Sequence, residues 1–264
     1  MKIVVCMKQV PAAATASIDP LTKTIVRTGR NAVTNPFDLY ALQTALDIRK
    51  ETDGTVTAIT MGIPAAEKVL RDAISRGADN GALLSDRAFA GADTLATSYA
   101  LSLGVEKLGG ADLIVCGKMA VDGDTAQIGP ELAQHLGIAH VSDVCEILEA
   151  AQDHLVVRRV WDDLEQEVYL PLPALITVVK GQNLPQLPTI GGMLRGRAAE
   201  ISVFTAEALQ ADTERCGLKG SPTQVVRTFT PPVRGQAQAI EGNEQQQAKQ
   251  LTQIIKEVLY GTDK

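Results

Sequence analysis

The order of elements along this chain predicts an α/β fold, a doubly wound and mostly parallel sheet, on three observations. Short continuous apolar runs of strand length alternate with amphipathic helical patterns through the first two-thirds of the sequence. Strands read this way when crossover helices cover both faces of a parallel sheet. The helical stretches start and stop on residues suited to helix ends. After about residue 143 the alternation gives way to strand, turn and strand, so an antiparallel addition is expected beside the parallel core.

Residues 2–6 (KIVVC) form the first β-branched run, and 18–29 (IDPLTKTIVRTG) interrupt the alternation as a small hairpin or excursion. Asn35 is placed as an N-cap with Pro36 at the first helical position, where a missing N–H costs nothing. Leu39, Leu42, Ala45, Leu46 and Arg49 follow at spacings of three and four. Residues 56–61 (VTAITM) are the second strand, and Pro64 opens a helix that ends on Gly77, a good residue just past a helix end. Residues 82–84 make the third strand, 94–108 a helix, 113–116 (LIVC) the fourth strand, and 125–136 a helix closing on Gly137. Residues 154–163 and 165–179 read as an antiparallel pair leading into a further strand, with Asp162 and Asp163 in the turn. Residues 181–196, rich in Gly and Pro, read as a loop, and 217–239 as an extended arm. Leu251, Ile254, Ile255, Val258 and Leu259 give the last helix an apolar stripe, which must be buried against its own core or against another subunit. The chain therefore divides into an α/β nucleotide-binding domain over 1–216 and an arm plus helix over 217–264.

Composition narrows the function. Of 264 residues, 45% are hydrophobic and 21% charged, enough for a packed core. Aromatics at 3% and a net charge of −6 exclude a stacking platform or basic surface for nucleic acid. No apolar stretch reaches about 18 residues, so no membrane insertion is expected, and the N-terminal run is too short for a signal peptide. Cys6, Cys116, Cys145 and Cys216 form no C-x-x-C pair, and a reducing cytoplasm is the expected compartment. His135, His140 and His154 lack metal-ligand spacing. No Walker loop, no G-x-G-x-x-G after the first strand and no G-x-S-x-G elbow is present. Any chemistry is expected to come from a cofactor.

The candidate site lies at the strand ends. Open parallel sheets bind ligands at the carboxyl ends of their strands, and a helix N-terminus offers free N–H groups to an anion. The stretch from Gly117 through Lys118, Met119, Ala120, Val121, Asp122, Gly123, Asp124, Thr125, Ala126, Gln127 and Ile128 has small residues that admit a phosphate to the backbone. The same stretch also reads as an Asp-Gly turn with Asp124 capping the next helix. Cys6 and Met61 close the first two strands, either against a flat adenine ring or as core residues. Phe89, Ala90, Gly91, Ala92, Asp93 and Thr94 follow the third strand, either beside a ring system or as a surface loop with Asp93 as a cap.

These pieces together resemble the electron-transfer flavoprotein β subunits over nearly the whole chain. The resemblance is carried by VVCMKQVP at the start, NPFD at 35–38, ITMGIPAAE at 59–67, GKMAVDGDTAQIGP at 117–130, PLPALITVVKGQNLPQLPTIGGMLR at 171–195, and the C-terminal arm and helix. It implies a nucleotide α-hydrolase-like core and an arm that embraces an α subunit in a heterodimer. An adenine nucleotide would lie against Cys6, Asn35, Pro36, Phe37, Asp38, Met61 and the 117–128 loop. In the conventional branch that nucleotide is AMP. The loop of this chain resembles the flavin-bifurcating branch, where the pocket holds FAD and its ring extends toward 85–94. That branch takes electrons from NADH and divides them between ferredoxin or flavodoxin and a flavin dehydrogenase. The resemblance places docking of the dehydrogenase at Ile190, with Arg195 at the rim. A non-redox adenine-nucleotide-binding protein is a third reading, disfavoured by the arm.

Overall fold

The computed structural model describes residues 1–12, 32–181, 184–226 and 239–261. The chain divides into two compact units, Met1–Val226 and Arg227–Lys264. The expected excursion over 18–29 lies outside the described residues.

The first unit is built on β1 (Lys2–Cys6), β2 (Gln9–Pro11), β3 (Ala32–Thr34), α1 (Pro36–Thr52), β4 (Thr55–Met61), α2 (Glu67–Arg76), β5 (Asn80–Leu84), α3 (Thr94–Lys107), β6 (Leu113–Gly117), α4 (Ile128–Leu136), β7 (Ala139–Ala150), β8 (His154–Trp161), β9 (Leu164–Pro171), β10 (Ala174–Val178), α5 (Ile190–Ala198) and β11 (Ser202–Phe204). A nine-stranded sheet runs β11-β5-β4-β1-β6-β10-β7-β8-β9, and β2 and β3 pair separately. All pairings from β11 to β7 are parallel, whereas β7, β8 and β9 pair antiparallel. This is the doubly wound, mostly parallel sheet with an antiparallel addition that the alternation predicts.

Successive side chains of a strand point to opposite faces, so β1 divides itself between two cores. Ile3 and Val5 pack with Leu42, Leu46, Leu70 and Ile74 of α1 and α2. Val4 and Cys6 pack with Ala100, Leu101 and Leu132 of α3 and α4. Helix starts and stops follow local chemistry. Pro36 stands at the first position of α1, Gly77 ends α2 at φ +132, and Gly137 ends α4 in the left-handed region at φ +65.

Three elements depart from the sequence reading. The helix expected from Thr125 begins at Ile128, with Gln127 at its cap. Asp124 does not cap it. That residue sits at φ +54 and its N–H closes a turn on the Ala120 carbonyl at 2.8 Å, which uses up three residues before the helix starts. Strand β7 had no clean signal because two register shifts interrupt its pairing and charged residues stand among its apolar ones.

Residues 190–196, within the stretch expected to be loop, belong to α5. The glycines that suggested a loop are there for packing: a Cβ on Gly192 would strike the Ser75 carbonyl, and one on Gly196 would strike Ser75 Oγ and the Arg71 carbonyl. Helix α5 thus lies directly on α2. Arg71 donates to the carbonyls of Gly196, Arg197 and Ala199 at 2.9, 2.8 and 3.1 Å, satisfying the exposed C-terminal end of α5.

In the second unit α6 (Glu244–Tyr260) opens on a capping box. Gln246 N–H donates to Asn243 Oδ1 and the Asn243 N–H donates to Gln246 Oε1, each at 3.0 Å. Its stripe of Leu251, Ile254, Ile255, Val258 and Leu259 is exposed. Among the described residues no helix is long and apolar enough to cross a membrane.

The packing of α5 gives a paired test. Gly192→Ala should cost about 1–3 kcal/mol of stability, since the added methyl meets backbone that cannot step aside. Gly191→Ala, one residue away with open space around it, should be neutral or stabilising by up to about 1 kcal/mol. Urea denaturation of the two variants checks this, and equal effects would mean that α5 does not rest on α2.

Candidate functional site

The strand order changes direction between β1 and β6. From β1 the chain winds outward through β4 to β5, then crosses back to β6 on the other side. In sheets of this topology the connections on either side of the switch point diverge at the carboxyl ends of the strands, and the crevice between them is the usual ligand position. Cys6 and Cys116 stand side by side at the floor of this crevice in register, both buried. The thiol of Cys116 is pushed well up by a hydrogen bond with Cys6 and by burial; such thiols are inert.

One wall is made by residues 35–38. Asn35 is the N-cap residue of α1, yet its side chain does not cap. Instead the Asn35 amide donates to Asp38 Oδ1 and to the Met119 carbonyl, both at 2.9 Å, and its Oδ1 accepts from Val121 N–H at 3.2 Å. Asp38 also accepts from Lys8 N–H at 2.7 Å. Burial raises the Asp38 carboxyl from 3.8 to about 7, against the lowering pull of Asn35, of the Lys8 N–H and charge, and of the Gly117 N–H. Lys8 Nζ in turn pairs with Asp122 Oδ1 at 2.7 Å. The first loop, the start of α1 and residues 117–122 are therefore one hydrogen-bonded assembly.

The other wall is the remainder of the 117–128 loop. Lys118 N–H donates to the Val178 carbonyl at 2.8 Å, and its Nζ pairs with Asp143 Oδ1 at 3.2 Å. Gly123, Asp124, Thr125, Ala126 and Gln127 are exposed, and a Cβ on Gly123 would meet nothing. Gln127 makes no side-chain cap on α4. The first N–H groups of α4 thus stand behind a run of small exposed residues without a capping side chain, an arrangement that fits a phosphate.

Across the crevice the loop after β5 approaches α4. Thr94 Oγ1 donates to Gln127 Oε1 and Glu131 Oε1, each at 3.1 Å, and Asp93 caps α3 through Ala96 N–H at 3.1 Å. Phe89 turns inward into the α3/α4 core, so its ring is a packing residue rather than a face for a ligand. Ala90, Gly91 and Ala92 lie at or near the surface of the loop. Met61 is half-buried at the end of β4, packed against the same core.

The structure thus joins Asn35, Asp38, Gly117, Met119, Val121, Asp122, Thr94 and Gln127 around the crevice, with Cys6 at its floor. Pro36 is exposed and Phe37 half-buried in the first turn of α1. Ile190 and Arg195 lie elsewhere, on α5. Ile190 is 76% exposed, and Arg195 donates to the Ile74 carbonyl at 3.3 Å while remaining exposed. Sequence reasoning missed the two ion pairs of Lys8 and Lys118. A lysine directly after a buried strand was the one available signal for Lys8.

Residues 22–209 match the family model described as the electron transfer flavoprotein domain. The chain is 41% identical over 260 residues to an electron transfer flavoprotein subunit beta from Clostridium acetobutylicum, covering 98% of this chain and 100% of that one. It is 40% identical over 262 residues to the protein FixA of Bradyrhizobium diazoefficiens, covering 97% and 91% of the two chains. It is 42% identical over 243 residues to subunit CarD of the caffeyl-CoA reductase–Etf complex of Acetobacterium woodii, covering 92% of each.

The raised carboxyl of Asp38 sets a pH dependence. Because its folded value lies above the unfolded one, the stability it contributes is complete below pH 3.8 and is lost as pH rises through about 7. The margin by which the native protein exceeds Asp38→Asn in urea denaturation should therefore shrink from pH 5 to 7 and level off by about pH 8. A margin that is constant or grows with pH over that range would show Asp38 ionising at its ordinary value.

Proposed function

This chain belongs to the electron transfer flavoprotein family as a β subunit, and from that premise we propose that its crevice holds FAD, with the adenosine end between residues 35–38 and 117–128 and the ring toward 85–94. The observation that carries the reading is the N-terminus of α4, left without a side-chain cap behind small exposed residues at the β1/β6 switch point.

Each wall has a defined part in this. Gly123, Thr125 and Ala126, exposed and small, let the ligand's phosphates come close to the backbone, while the first N–H groups of α4 and its dipole meet their charge. Lys8 and Lys118 neutralise Asp122 and Asp143, which would otherwise repel a phosphate. Asp124, exposed at the loop surface, is available to a ribose hydroxyl. Thr94 and Gln127, bonded to each other, close the crevice between its two loops. FAD bound there supplies the one- and two-electron chemistry that no side chain of the site offers.

We place the chain in a cytoplasmic heterodimer with an α subunit, taking electrons from NADH and dividing them by flavin-based bifurcation between a flavin dehydrogenase and ferredoxin or flavodoxin. A relative named as part of a caffeyl-CoA reductase–Etf complex supports assembly with a reductase. Ile190 of α5, flanked by exposed Leu187 and Leu194, offers an apolar contact for it, with Arg195 beside it acting on the rate of association. The exposed stripe of α6 fits the α subunit.

The alternative is AMP in the same crevice, which the adenosine half of the site would accept equally. Co-purification with the α partner decides between them. Two FAD and no AMP per heterodimer, with a flavin reducible by NADH, are expected. One FAD and one AMP would overturn the bifurcating reading and leave a conventional electron carrier.

A further inference from the structure

The loop between β5 and α3 is fastened at both ends by an aspartate. Asp86 accepts from Ala88 N–H within the loop and from Ala206 N–H across it, both at 3.0 Å. Asp93 is placed the same way at the other end. One oxygen accepts from Ala96 N–H at 3.1 Å and caps α3, while the other accepts from Thr223 N–H at 3.0 Å. The Asp93 N–H donates to Ser221 Oγ at 2.8 Å, and this buried hydroxyl donates to the Gly217 carbonyl at 2.6 Å. Leu218 N–H reaches the Ala90 carbonyl at 3.0 Å. Gly217, at φ +53, lies so close that a Cβ would stand 2.7 Å from the Ala90 carbonyl oxygen.

Residues 217–223, expected from sequence to begin the arm, are thus part of the first unit and lie on the candidate cofactor loop. That unit ends at Val226, three residues beyond Thr223. Burial by itself would raise the Asp93 carboxyl, but the N–H groups of Ala96 and Thr223 and the Ser221 and Thr223 side chains outweigh it and hold its pKa below the ordinary range.

We propose that Asp93 is a positioning residue that couples the cofactor site to the α-subunit interface, by tying the first turn of α3 and the root of the C-terminal arm to one carboxylate. The inference rests on the proposed function for the identity of the cofactor and of the arm's partner. On one side Asp93 fixes Thr94, whose hydroxyl reaches Gln127 and Glu131 across the crevice. On the other it fixes the stretch from which the arm departs. A ligand that draws the 85–94 and 117–128 loops together therefore also acts on residues 217–223, which are tied to Asp93. Seating the arm on the α subunit favours the closed crevice by the same factor, because coupling between two binding events is reciprocal.

Asp93→Asn separates the two duties of the residue. Asparagine caps a helix as well as aspartate does, so the bond from Ala96 is retained. Its amide then sets an N–H donor against the Thr223 N–H, and the tie to the arm root is lost. Ser221→Ala removes a second tie between the two segments, the one from the Asp93 N–H, and leaves the cap and the Thr223 bond in place. The measurement is the affinity of each variant for the α subunit, with and without saturating FAD, together with hydrogen exchange at the Leu218 and Thr223 amides. In the native heterodimer FAD should tighten association by roughly 5- to 150-fold, the usual range of such coupling. In both variants this ratio should fall toward one and exchange at the two amides should rise. Variants that keep the native ratio, or a native ratio of one, would overturn the coupling. A native heterodimer that carries one FAD with AMP in the crevice would instead overturn the functional reading, and the inference with it.

Discussion

The carboxyl edge of the sheet is organised by one close approach, that of the end of β6 to the first turn of α1. A methyl group on Gly117 would meet the Asp38 carboxylate, and the Phe37 carbonyl carbon would be only 2.7 Å from it. Because no side chain intervenes, Asp38 is buried beneath the strand ends. A buried carboxyl needs hydrogen-bond donors in place of water, and it finds them in the Lys8 N–H, the Asn35 amide and the Gly117 N–H. Meeting that need draws Asn35 into the position from which it also holds Met119 and Val121. One wall of the crevice thus follows from the absence of a Cβ at one residue.

How much of this was legible in the sequence depends on whether the signal was local. The strands at 2–6, 55–61, 80–84 and 113–117 and the helices between them could be read because each carries its own periodicity and its own end residues. Strand β7 could not, because its bulges destroy the alternation on which such reading relies. Helix α5 was hidden by Gly192 and Gly196, which signal a loop by composition but serve a helix crossing. Nothing in residues 190–198 announces that α2 lies beneath them. The start of α4 was placed three residues early for a similar reason. Asp124 is a good capping residue by type, but the turn closed on Ala120 places it in the left-handed region, where it cannot cap.

The site divides along the same line. Its location followed from topology, since alternating strands and helices imply a switch point and the switch point implies a crevice. The residues at the strand ends could therefore be named. Their partnerships could not. Lys8 and Asp122 are 114 residues apart and Asp93 and Thr223 are 130 apart, and a pairing over that distance leaves no trace in the spacing of either residue. Phe89 shows the reverse error. Its type suggests a face for a ring system, whereas its place behind a short turn directs it into the core.

On the proposed reading an acidic chain takes a phosphate-bearing ligand and has to solve a charge problem, which the arrangement of its lysines addresses. Both lysines at the crevice are already paired with carboxylates, Lys8 with Asp122 and Lys118 with Asp143. They neutralise the acidic residues of the site rather than standing free as counterions. What is left for an anion is the backbone at the start of α4, fixed in direction and uncharged at every pH. Such donors need little reorganisation when a ligand arrives, because the helix already orients them. On the proposed reading this has a consequence for redox tuning. A site whose compensating charge is fixed in the fold and internally paired leaves the field at the flavin ring to residues near the ring itself, on the 85–94 loop and on the partner subunit. Adenosine binding and flavin tuning are then separable on that reading, so the walls of the crevice suit AMP and FAD alike.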